Sequence, residues 1–274
     1  MDFKRWTIHL LRYRIPKILI PHPFQWGAKR MFKNRRFSDS AGCDTRMEFK
    51  MIGPEHCDQV LEHLRRSFFA DEPLNKAAGL CQNGVNCSAL EIHCAEAIQD
   101  RMSVMAVDAK DEGSCKIAGV VLNGILKPDD TARALEKLEE TKDIHFRVIF
   151  EMLHKHNIEH NLFEHFDVKS IFDVRILSVD SCYRGQGIAN ELVKRSVEVA
   201  RKNGFRLMKA DATGIFSQKI FRSHGFKVFS ELPYCKYTDE NGKMILPVEA
   251  PHIKLQQIYK TVCGDELDDK AKPH

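Results

Sequence analysis

Apolar residues recur along this chain in two rhythms, and the switches between them mark its elements. The run MEFKMI (47–52) alternates as a strand does. Pro54 then opens a helix that continues to about Phe69, with Val60, Leu61 and Leu64 on one face. SALEIHCAEAIQDR (88–101) predicts a second helix. MSVMAVDAK (102–110) and IAGVVLNGIL (117–126) predict a strand pair joined by a polar turn over Asp111 to Ser114. Helical spacing returns at 130–140 and 144–156. DVRILSVD (173–180) is an apolar strand, followed by a glycine stretch and a helix from Gly187 to Asn203 that Gly204 stops. FRLMKADAT (205–213) predicts a strand, SQKIFRSHG (217–225) a short helix, and 226–234 and 252–260 two closing strands. Strands interleaved with helices imply a mixed α/β sheet.

The two ends break the pattern. Residues 1–46 hold eleven Lys/Arg against three Asp/Glu, while the remainder holds 31 against 35, so the net charge of +4 belongs to the N-terminal extension. The main domain is mildly acidic, which argues against a nucleic-acid partner. The pattern predicts a basic, flexible extension over 1–46, a folded domain over 47–263 and a solvated tail over 264–274. The arginine-rich start resembles a mitochondrial presequence, while prolines 16, 21 and 23 suit a plain flexible tail. The expected location is the cytoplasm, with the mitochondrion as the alternative. No run of eighteen apolar residues occurs, so no transmembrane segment is expected. The nine cysteines form no CxxC pair and read as reduced thiols.

YRGQGIAN (183–190) places Arg184, Gly185 and Gly187 between a strand and a helix. Such a junction is a ready anion site, because backbone N–H groups and the positive end of the helix dipole point outward. Glycine lets phosphate oxygens approach, and Arg184 adds a charge-assisted contact. No GxxxxGK[ST] is present, so the stretch is not a P-loop. Asn190 stands where a dinucleotide fingerprint needs its third glycine.

R-x-x-G-x-A after an apolar strand resembles the pyrophosphate loop of the GCN5-related N-acetyltransferases. Three stretches, FFADEPLN (68–75), ILSVDSCYRGQGIA (176–189) and APHIKLQ (250–256), extend the resemblance over roughly 47–262, toward the insect arylalkylamine N-acetyltransferases. The resemblance implies an α/β fold with a mixed, mostly antiparallel sheet, flanked by helices and splayed at an acetyl-CoA site. It implies a monomer that acetylates small arylalkylamines such as dopamine, tyramine, octopamine or serotonin, with acetyl-CoA as co-substrate and no metal. Leu177, Ser178 and Val179 would pair with the pantetheine arm. Arg184, Gly185, Gln186, Gly187, Ile188 and Ala189 would hold the pyrophosphate, and a backbone N–H near Val179 would face the thioester carbonyl.

An alkyl ammonium with a lysine-like pKa of about 10.4 is less than ~0.1% neutral at pH 7, so the reaction needs a base. Pro73 fixes the backbone beside Glu72, and the flanking SFF and PL form an apolar wall that would raise a carboxyl pKa. Spacing alone reads Asp71 and Glu72 as solvated charges in a loop after a helix. The resemblance makes Glu72 the base and lets Asp71 receive the ammonium, with Phe68 and Phe69 walling an aromatic pocket. Many acetyltransferases carry a tyrosine acid where this chain has Phe221. The resemblance moves the acid role to Ser217 and Thr213, and Ser217 equally fits a helix N-cap.

HNIEH (156–160) matches H-x-x-E-H, but the polar surroundings read as a solvated, fraying helix end. Two other functions stay open: an acyltransferase for polyamines or agmatine, or for long-chain acyl-CoA, and a non-catalytic acyl-CoA-binding module.

Overall fold

The computed structural model describes residues 35–38, 44–109 and 116–262. Its centre is an eight-stranded sheet. In chain order the strands are β1 (Arg35–Ser38), β2 (Asp44–Met51), β3 (Val104–Asp108), β4 (Ile117–Leu126), β5 (Ile171–Val179), β6 (Leu207–Ala212), β7 (Lys227–Pro233) and β8 (Lys254–Thr261). The spatial order is β1-β2-β3-β4-β5-β6-β8-β7. Every pairing is antiparallel except β5–β6. The helices are α1 (Cys57–Ser67), α2 (Pro73–Ala78), α3 (Ser88–Gln99), α4 (Asp130–Leu138), α5 (Ile144–Glu159), α6 (Leu162–Phe166), α7 (Ile188–Lys202) and α8 (Ile215–Ser223). No helix among the described residues is long and apolar enough to cross a membrane.

The single parallel pair follows from α7. A right-handed crossover helix returns the chain to the sheet in the same direction. Ile188, Leu192, Val193 and Val199 are buried on the inner face of α7. Gly204, at φ +74°, closes the helix in the left-handed conformation that glycine tolerates best. The main core packs Ile52, Leu64, Phe69, Ile98, Leu122 and Met152 between sheet and helices.

Several elements differ from the sequence pattern. Pro54 begins a single 3-10 turn, and the α-helix proper starts at Cys57. The stretch read as a loop after that helix holds α2 instead. Glu72 is its N-cap, Pro73 its first residue, and Gly79 closes it at φ +77°. Those cap signals were present in the sequence but lay in a segment too short for periodicity to register. The sheet also begins upstream of 47, where β1 pairs Phe37 with Thr45 of β2.

Candidate active site

β5 is paired from end to end on one side only, apart from a bulge at Arg175. β4 matches it from Gly119↔Val179 to Leu126↔Ile171, whereas β6 matches only Phe172, Asp173 and Val174. Beyond Val174 the two strands part. The Asp180 N–H donates to the Ala118 carbonyl at 2.9 Å, which sets the alternation of backbone groups along β5. Ser178 therefore turns its N–H and C=O toward β4, while Leu177 and Val179 turn theirs into the gap. The Ser178 hydroxyl is also directed away, to His63 Nε2 at 3.1 Å. Of the three residues expected along pantetheine, Leu177 offers open backbone groups, Val179 an open N–H with its carbonyl bonded to Arg184, and Ser178 borders the cavity without one.

The gap opens into a cavity of about 880 Å³ that runs to the glycine loop and is closed opposite by Thr213, Gly214, Phe216, Ser217 and Phe221. Gly185 and Gly187 both have φ +80°. A Cβ at Gly185 would meet no protein atom within 4 Å, so its backbone angle is what favours glycine there. Gly187 is the N-cap of α7, directing that fifteen-residue helix's N-terminus at the cavity. Arg184, Ile188 and Ala189 line the cavity as well, but Gln186 does not. Arg184 Nε donates to the Val179 carbonyl at 3.2 Å, and its Nη2 lies 3.4 Å from Asp71. Asp71, expected to receive the ammonium, is exposed and lines this cavity beside the glycine loop; it does not line the smaller cavity beyond Glu72.

Glu72 lies where two cavities meet, since it lines both. As N-cap of α2 it accepts from the Asn75 N–H at 2.7 Å through Oε2. Its Oε1 accepts from Thr213 Oγ1 at 2.6 Å. Tyr234, buried behind them, donates its hydroxyl to the Thr213 carbonyl at 2.6 Å. Burial pushes the Glu72 carboxyl above the ordinary range, and the bonds from Thr213, Asn75 and Leu74 pull it back without cancelling that rise. Thr213, expected near a leaving thiolate, thus gives its hydroxyl proton to Glu72. Ser217 is not an N-cap: that position is Gly214, and Ser217 Oγ donates to its carbonyl at 2.8 Å. Gly214 has little room for a side chain, because a Cβ there would sit 3.1 Å from His252 and 3.3 Å from Pro73. The three stretches around 72, 214 and 252, distant in sequence, meet at this point.

The second cavity, about 410 Å³, lies on the other side of Glu72 and is walled by Phe68, Phe150, Leu153, Ile149, His93 and His154. Phe69, expected in that wall, is packed into the core at 1% exposure. Burial lowers the His93 pKa to about 3 and that of His154 to about 4, so both rings are neutral near pH 7. Charged residues from β5 and β6 stand at the cavity floor. Lys209 reaches Asp211 at 2.7 Å and Asp173 at 3.5 Å, and Arg175 reaches Asp173 at 3.3 Å. Burial opposes the charge on Asp173, but Lys209 and Arg175 outweigh it and hold the carboxyl below its usual range. Sequence reasoning missed this group. Its signal was Asp173, Arg175, Lys209 and Asp211 at alternate positions inside two otherwise apolar strands.

Residues 164–226 match the family model described as acetyltransferase (GNAT) family. A crystal structure of arylalkylamine N-acetyltransferase 2 from Aedes aegypti is similar with 45% identity and a TM-score of 0.75, over 79% of this chain and 99% of that one. The chain belongs to the GNAT acetyltransferase family. Enzymes of this family take an acetyl group from acetyl-CoA. The same fold occurs in mosquito arylalkylamine N-acetyltransferase like 5b, at 21% identity and TM-score 0.70, over 78% of this chain and 99% of that one. It occurs also in a Drosophila melanogaster polyamine N-acetyltransferase that forms N-acetylagmatine, at 18% identity and TM-score 0.70, with the same coverage. The splayed β5–β6 pair and the glycine loop at the α7 N-terminus border one continuous cavity of this GNAT fold. Backbone groups of Leu177 and the Val179 N–H that face the gap, leading to left-handed glycines at a helix N-terminus, suit an amide-bearing arm that ends in pyrophosphate.

Proposed function

We propose that this acetyltransferase N-acetylates small arylalkylamines, with Glu72 as the general base. The observation that carries the reading is the place of Glu72, with a raised carboxyl pKa, between an acyl-donor cavity and an aromatic-walled one. Acetyl-CoA supplies the acetyl thioester and leaves as the thiol. Leu177 and Val179 align the donor's arm, and Arg184 with the Gly185 to Ala189 loop holds its pyrophosphate. Phe68 and Phe150 pack the aryl ring of the amine. Glu72 takes the ammonium proton on a carboxylate oxygen, each of which keeps a lone pair beyond its present bond. Ser217, which lines the donor cavity, is the proposed proton source for the departing sulfur.

Charge favours an arylalkylamine over a polyamine. The walls of the smaller cavity carry five carboxylates (Glu72, Glu96, Asp130, Asp173, Asp211) and four cations (Arg133, Lys137, Arg175, Lys209). With both histidines neutral, the surplus is one negative charge, which matches a single ammonium. A polycation would need further carboxylates without partners, and Asp173 and Asp211 are already paired with Lys209.

The test is a thiol-release assay with acetyl-CoA against dopamine, tyramine, serotonin, agmatine and spermidine, repeated with a longer acyl-CoA. Preferred turnover of the aromatic amines is expected. Preference for agmatine or spermidine, or for the longer donor, would overturn the substrate assignment. Tight acetyl-CoA binding without turnover of any amine would overturn the catalytic one.

A further inference from the structure

The HNIEH stretch is not the fraying end its polarity suggested. α5 continues through Glu159, so residues 156, 159 and 160 share one face of an intact final turn. His156 is 4% exposed, and its Nε2 lies 2.9 Å from Ser230 Oγ. One nitrogen or oxygen from each of His156, Glu159 and His160 lies within 4.8 Å of the others. The two imidazoles meet edge to face with centroids 4.5 Å apart.

A chain of hydrogen bonds fixes which nitrogen of His156 carries the proton. Asp211 can only accept, so Asn157 Nδ2 donates to it at 2.9 Å, and Asn157 Oδ1 faces Gln257. Gln257 Nε2 donates to that oxygen at 2.8 Å, which leaves Gln257 Oε1 as an acceptor. Ser230 donates its one hydroxyl proton to Gln257 Oε1 at 2.9 Å. Toward His156, Ser230 can then only accept, so Nε2 bears the hydrogen and Nδ1 keeps its lone pair.

We infer that His156, Glu159 and His160 form a binding site for a borderline divalent cation of the zinc class, with His156 Nδ1 as the anchored ligand. Two imidazoles and a carboxylate are the donor types such ions take. A ligating histidine ordinarily gives its other N–H to an outer partner, and Ser230 fills that place. Donors on one zinc lie about 2.0–2.2 Å from it, so the three groups need to close by no more than about 1.5 Å. Glu159 is exposed and His160 half-buried, so both can close on the fixed His156. The fourth position would be water. Neither cavity is lined by these three residues, so the site stands apart from the chemistry.

Cobalt(II) titration of the full-length chain, followed by absorption spectroscopy and displacement with zinc(II), tests this. Exposed Cys182 and Cys235 also attract these metals, and a thiolate ligand announces itself by a charge-transfer band that imidazole and carboxylate lack. The expected result is one saturable equivalent with ligand-field bands, no thiolate band and zinc displacement. His160→Ala and Glu159→Gln should each weaken binding at least ten-fold. Ser230→Ala, which leaves every ligand in place, should weaken it about ten-fold through the lost outer contact. Lack of saturable binding, a thiolate band, or affinity unchanged in His160→Ala would overturn the site. Affinity unchanged in Ser230→Ala would overturn Nδ1 as the anchor.

Discussion

Replacing Thr213 by valine keeps shape and removes one hydroxyl, and it separates two roles for that residue. The hydroxyl donates to Glu72 Oε1 at 2.6 Å, while Asn75 N–H holds Oε2 at 2.7 Å. A hydrogen bond to a charged group contributes about 1.5–3 kcal/mol, and 1.36 kcal/mol is one pKa unit. The same hydroxyl also bonds the protonated carboxyl, so only part of that energy separates the two forms. With burial already pushing the Glu72 pKa up, losing Thr213 should raise it by about one further unit. The assay is kcat/KM for tyramine against pH at saturating acetyl-CoA, whose acid limb reports the base of the enzyme form that binds the amine. The expected result is an acid limb displaced upward by about one unit, with activity largely regained above it. An unmoved limb, with the rate lowered by one factor at every pH, would refute the reasoning. It would return Thr213 to the leaving thiolate.

Glu72→Gln should lower kcat/KM by about 10²–10⁴. Its stability should move the other way. A carboxyl whose folded pKa is raised stabilises the fold below its unfolded value and loses that contribution as pH rises through the folded one. Ionised Glu72 therefore costs stability at neutral pH, and the glutamine variant, still able to cap α2, should keep or raise Tm by calorimetry. Lys209→Met leaves buried Asp173 and half-buried Asp211 without their shared cation, and should cost about 3–5 kcal/mol in urea unfolding. Gly185→Ala meets no protein atom but is forced to φ +80°, at about 1–2 kcal/mol of backbone strain. Its Kd for acetyl-CoA, by isothermal titration, should rise about ten-fold. An unchanged Kd would show that the loop does not hold its shape to bind.

Periodicity located the long elements well because each has one apolar face. β4 begins and ends where the pattern placed it, and α7 and β5 fall within two residues of expectation. The short elements escaped. α2 and α6 offer too few turns for a period, although Pro73 and Gly79 bracket α2 as caps. Among the proposed site residues, the glycine loop was legible because its conformation is a property of glycine itself. Glu72 was legible as a residue type but not as a base: by spacing alone it read as a solvated charge.

Local sequence, then, determined where the long strands and helices form, that the glycines after β5 suit left-handed turns, and that the main domain carries little net charge. Those are properties of neighbouring residues and of composition, and no fold is needed to read them. The tertiary structure decided the rest. It put Thr213, 141 positions along the chain, against Glu72, and turned the backbone of Leu177 and Val179, but not Ser178, into the splay. It moved Asp71 to Arg184 and Phe69 into the core. It also set Lys209 between two carboxylates, through the register that pairs it with Asp173. The contacts of Leu177, Val179 and Lys209 depend on strand register and on which face of a strand a residue occupies. A shift of one residue would reverse that face while leaving local composition unchanged.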